Sequence, residues 1–190
     1  MAVGGRRRPP SRWAPVRRGA LIAVALSTAL LTSGCSVYIN GMTGVGVDEQ
    51  GRVVGYLQIC GSRVTTATLW TEGGDGRAGQ WVPPDDVSDY ATWLLDGSSE
   101  GWETDIAPPE LKAGSTYWLN AWKSNIFDGD TRTVNVTFTL EDLEALEPGQ
   151  VLSSATDYYA ATQRTRVTTV DEFRETACDV LYSDADLSPT

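Results

Sequence analysis

The sequence predicts a mainly β protein, a β-sandwich followed by a short C-terminal helical extension. Three observations carry this prediction. Seven short strand-like runs lie between residues 43 and 140, separated by turn residues. Within residues 131–140, Val134, Val136, Phe138 and Leu140 alternate with Thr133, Asn135, Thr137 and Thr139, the period of a half-buried strand. Thr169-Val170-Asp171-Glu172 is a capping-box pattern that opens a helix after the strands end.

The elements follow in order. Residues 43–47 and 52–60 flank Asp48-Glu49-Gln50-Gly51, a hairpin turn, and residues 64–70, rich in Thr and Val, form a third strand. Residues 71–90 read as a long loop because of Gly73-Gly74, Pro83-Pro84 and Asp85-Asp86. Residues 91–95 and 102–106 are two short strands, and 116–123 and 131–140 complete the sandwich. A short helical turn at 141–147 is capped by Thr139, carries Glu141 and Asp142 at its positive end and stops at Pro148-Gly149. Residues 150–153 suggest one more strand. The last helix runs from Thr169 to about Cys178, with Phe173, Ala177 and Val180 as its inner stripe. It is short enough that packing must stabilise it. Residues 183–190 read as a flexible tail.

Leu111-Lys112-Ala113-Gly114-Ser115-Thr116-Tyr117, followed by Leu119 and Ala121, sharpens the class. This segment resembles the tyrosine corner of immunoglobulin-like and fibronectin type III domains. The resemblance implies an immunoglobulin-like β-sandwich whose tyrosine hydroxyl bonds back to the turn backbone. It places strand A near 43–47, B near 52–60, C near 64–70, E near 102–106, F near 116–123 and G near 131–140. Strand F has no cysteine, so the B–F disulfide of antibody domains is missing. The resemblance therefore extends to the sandwich and not to antibody-like recognition.

The N-terminus has a different composition. Arg6, Arg7, Arg8, Arg12, Arg17 and Arg18 precede an uncharged apolar run at 20–31, shorter than the ~20 residues of a transmembrane helix. Leu31-Thr32-Ser33-Gly34-Cys35 follows, and it resembles a bacterial lipobox, with Thr32 where leucine is commoner. The resemblance implies cleavage before Cys35, diacylglycerol on its thiol and acylation of the new N-terminus. Residues 1–34 are then a lipoprotein signal peptide, 35–41 a lipidated tether, 42–140 the sandwich and 141–182 an extension packed on it. The expected location is the extracytoplasmic face of the cell membrane, reached by the general secretory route rather than the twin-arginine route. In style the chain resembles the small lipoproteins of high-GC Gram-positive bacteria.

Composition narrows the function classes. The signal removes six of fifteen basic residues and no acid, so residues 35–190 hold nine basic against twenty-five acidic residues, a net charge of −16. Such a charge disfavours nucleic acid. With Cys35 lipidated, Cys60 and Cys178 form an even pair in an oxidising compartment, and a disulfide is expected. Histidine is absent, which excludes a Ser-His-Asp triad, a Cys-His pair and histidine zinc sites. No cofactor and no metal site are expected. Asp128-Gly129-Asp130 lacks the later ligands of a calcium loop and reads as a hairpin turn. A carboxylate-pair glycosidase is kept only as a remote alternative, since no acidic pair stands out. Asn135-Val136-Thr137 is a sequon on a strand and is given no role.

The remaining candidates are aromatic. If Tyr117, Leu119 and Ala121 point inward, then Trp118, Asn120 and Trp122 share the other face. The two tryptophans are then ~13 Å apart, a platform for sugar rings. The competing reading is that the C-terminal segment, tied down at Cys60, covers that face. Trp81, with Asp85 and Asp86, either binds a partner from the loop or packs the loop down. The expected function is a non-enzymatic binding or protein-interaction module held at the membrane by lipid on Cys35. Its partner is an envelope protein or, alternatively, a cell-wall glycan bound at Trp118, Asn120 and Trp122.

Overall fold

A computed structural model describes residues 37–72, 76–123, 130–155 and 164–183. The chain divides into two compact units between Cys35 and Ser36, and every described residue lies in the second. Cys35, the signal segment, Asp128-Gly129 and residues 184–190 lie outside the described residues.

The protein is mainly β. Its strands are β1 (Val37–Val47), β2 (Val53–Ile59), β3 (Thr66–Thr71), β4 (Arg77–Val82), β5 (Tyr90–Leu94) and β6 (Glu103–Ile106). They continue with β7 (Tyr117–Lys123), β8 (Asp130–Val134), β9 (Val136–Phe138), β10 (Gln150–Ser154) and β11 (Thr165–Thr169). Helix α1 (Leu140–Glu144) precedes β10, and α2 (Val170–Ser183) follows β11. These strands form one curled sheet rather than the two separate sheets of the expected sandwich. The join is β1. Its first residues run parallel to β8, with Val37 opposite Asp130 and Ile39 opposite Arg132. Its later residues lie between β2 and β10. The register slips between Ile39 and Met42, so one strand serves both wings. One wing is β5-β2-β1-β10-β11, and the other is β8/β9-β7-β3-β4-β6. Val37–Gly41, which the sequence places in a tether, belong to β1.

The wings enclose a common core of Val45, Leu57, Leu69, Leu119, Val136 and Phe138, with the indoles of Trp81 and Trp93 6.1 Å apart at its centre. Trp102 stacks on Trp93 at 4.9 Å. Gly55 is required where β2 crosses this cluster, because a Cβ there would run into the Trp93 ring. The corner forms as expected: Tyr117 is 2 % exposed, and its hydroxyl accepts a 2.9 Å hydrogen bond from the Lys112 amide. Its ring stacks on Phe138.

Two strand positions differ from expectation. β2 pairs with β5, so the strand-E position belongs to residues 90–94, and β6 instead extends the far edge through β4. The cause is β4 itself, which lies inside the stretch that reads as a loop and presents a free edge to β6. The strand expected at 131–140 is broken. Val134 packs with Leu181 on the outside, whereas Val136 and Phe138 enter the core, so the alternation slips at Asn135. Thr133 turns inward and is fully buried, bonded to Thr43 and to the Ala121 amide.

Cys60 and Cys178 are joined, with an S–S distance of 2.04 Å and a sequence separation of 118. Closing a loop of that length restricts the unfolded chain by about 4–5 kcal/mol in the chain-entropy account. The bridge ties α2 to the end of β2. Thr169 caps α2 through the Glu172 amide, and Thr139 and Asp142 form a capping box on α1. Phe173 and Ala177 seal Met42, Val54, Tyr56 and Val151 on the outside of the first wing.

Candidate functional site

The outer face of the second wing follows from the β7 alternation. Tyr117, Leu119 and Ala121 are buried inward, and Trp118, Asn120 and Trp122 stand half-buried on the other side. The antiparallel β3 register sets Trp70 opposite Trp118, Thr68 opposite Asn120 and Thr66 opposite Trp122. Side chains opposite one another on a sheet are within contact distance. The indoles of Trp70 and Trp118 are accordingly near-parallel, 9° apart in plane and 6.4 Å between centroids. Trp70 Nε1–H donates to Asn120 Oδ1 at 3.0 Å, and Trp122 Nε1–H donates to Thr68 Oγ1 at 2.9 Å.

A cleft of about 420 Å³ opens beside the tryptophan pair, lined by Trp70, Trp118, Asn120, Arg132, Asn135 and Thr137. Thr137 comes from β9, directly opposite Trp118, and Arg132 from β8, directly opposite Trp122. Among the described residues, α2 packs on β1, β2, β10 and β11, and its Leu181 reaches Val134 of β8.

The candidates from sequence separate here. Trp118 and Asn120 line the cleft. Trp122 does not: the Arg77 guanidinium sits 5.6 Å over its ring, itself held at 2.6 Å by Gln80 Oε1. Trp81 is not a loop residue. It lies on β4 with 0 % exposure, packed against Trp93, so it is a core side chain and no ligand contact. Glycine and proline on both sides disguise its strand. Asp86 is engaged by Lys123 Nζ at 2.6 Å. Trp70 and Arg132 are the additions. Pairing β3 with β7 reveals the first. The second is hidden by the phase slip at Asn135, because unbroken alternation would turn Arg132 inward with Val136.

Two other clefts, of about 410 and 370 Å³, flank the Asp48–Gly51 turn, with apolar floors that include Leu69 and Leu95 in one and Leu140, Leu143 and Leu146 in the other. Among the described residues no group of three or more acidic, cysteine or histidine side chains is placed to hold a metal ion. No family model, curated protein or solved structure matches the chain.

Proposed function

We propose that the chain is a lipid-anchored, extracytoplasmic, non-enzymatic binding module that takes a carbohydrate at the Trp70–Trp118 cleft. The observation that carries this reading is the pair of near-parallel indoles beside a cleft whose other walls are amide, hydroxyl and guanidinium groups. Indole faces match the apolar C–H faces of pyranose rings, and the polar groups match their hydroxyls. The anchor rests on the arginine-rich start, the apolar run and Cys35. Since β1 begins two residues beyond Cys35, a lipid there holds the sheet within roughly 7 Å of chain from the bilayer surface.

The test is a tryptophan-fluorescence titration with soluble cell-wall glycan fragments. A saturable change that Trp118→Ala abolishes supports the reading, and no change with the unaltered protein contradicts it. The apolar clefts beside the Asp48–Gly51 turn favour a second reading, a protein-interaction module. A photocrosslinker at Glu49 that captures one envelope protein, combined with no glycan response, selects that alternative.

A further inference from the structure

Arg132 is out of character with its surroundings. Residues 35–190 carry twenty-five acids against nine bases, yet among the described residues the Arg132 guanidinium makes no ion pair and no side-chain hydrogen bond. The two ion pairs among those residues are Arg52–Asp48 and Lys123–Asp86. Arg132 is half-buried and lines the tryptophan cleft.

The cleft itself is equally distinct. Four other clefts on the molecule each carry at least two carboxylates: Asp96 and Glu110 in one, Asp48 and Glu144 in the next, Asp171 and Glu175 in the third, Asp85 and Asp86 in the last. Among the described residues the tryptophan cleft carries none, and the single charge lining it is that of Arg132. A partly desolvated guanidinium gains most from a planar anion that accepts its forked N–H groups.

We infer that the ligand is an acidic carbohydrate, with a sugar carboxylate paired to Arg132 while a neighbouring ring lies against the indole pair. This rests on the carbohydrate reading above and names its substrate class. The register fits such a ligand. Trp118 and Trp122 are four residues apart on β7, about 13 Å, and Arg132 lies opposite Trp122, so a short oligosaccharide meets both groups. Asn120, whose Oδ1 is occupied by Trp70, offers its amide nitrogen to a ring hydroxyl or to the same carboxylate. The −16 domain repels anions at long range, so the preference is a short-range effect of Arg132.

The experiment titrates the full-length protein in neutral detergent with tetrasaccharides of galacturonate, glucuronate and mannuronate and with their methyl esters. The expected result is that one acid form binds at least tenfold tighter than its ester, and that Arg132→Gln removes this difference. Arg132→Lys, which keeps the charge and loses the fork, retains part of the preference. Equal affinity for acid and ester in the unaltered protein overturns this inference and leaves the carbohydrate reading standing. No binding of any acid or ester likewise overturns this inference, and the glycan-fragment titration above decides the carbohydrate reading separately. The acid–ester comparison uses the unaltered protein, so it holds even where a variant does not fold.

Discussion

The two wings of the curled sheet solve the same problem in opposite ways. Both carry large side chains on their outer faces as well as their inner ones. On the first wing Met42, Val54, Tyr56 and Val151 are sealed by Phe173 and Ala177 of α2, and the Cys60–Cys178 bridge fastens that helix. On the second wing Trp70, Trp118 and Trp122 stay half-buried, and hydrogen bonds to Asn120 and Thr68 fix two of the three indoles in place. An outer face dominated by aliphatic groups has few polar handles and must be covered. Indoles carry an N–H and can be ordered at the surface. The first wing is therefore built for stability, and on the proposed reading the second is built for recognition.

That contrast can be broken at the covered wing first. Phe173→Ala empties a fully buried site between α2 and β1–β2 and is expected to cost about 3–5 kcal/mol, read by denaturant unfolding. Gly55→Ala pushes a methyl group into the Trp93 ring on the inner face of the same wing. It is expected to cost about 1–3 kcal/mol by the same measurement. On the open wing Trp70→Phe keeps a ring and removes the N–H to Asn120. The expected loss is about 1 kcal/mol of stability, and a larger proportional loss of glycan affinity because Asn120 is released.

The smallest effect concerns acid. Asp96 accepts from the Ser98 hydroxyl at 2.6 Å and amide at 2.8 Å, which lower its pKa in the folded protein. Its stabilising contribution is present above the unfolded carboxyl value of about 3.9 and is lost as pH falls through the lower folded one. Asp96→Asn should therefore be slightly less stable than the unaltered protein at neutral pH, with the difference vanishing in strong acid.

Local signals were legible wherever one residue type has one use. Tyr117 with Leu111 marks the corner, Cys60 and Cys178 have only each other once Cys35 is set aside, and Thr139 and Thr169 mark helix starts. What escaped was non-local. Residues 77–82 and 165–169 hold few apolar side chains and form strands because β3 and β10 offer them edges. The slip at Asn135 depends on β8 pairing with β1 while β9 pairs with β7. That slip turns Arg132 outward, so the one charged group of the described cleft was invisible to a reading by period alone. Trp118 and Asn120 were legible because the corner fixes the phase of β7.

The most direct test of the contrast measures unfolding free energy and glycan affinity side by side for Phe173→Leu and Trp118→Ala. The division of labour between the wings predicts that Phe173→Leu lowers stability with affinity unchanged, and that Trp118→Ala abolishes affinity in a protein that still unfolds cooperatively. Loss of affinity in Phe173→Leu, or full affinity in Trp118→Ala, would contradict it.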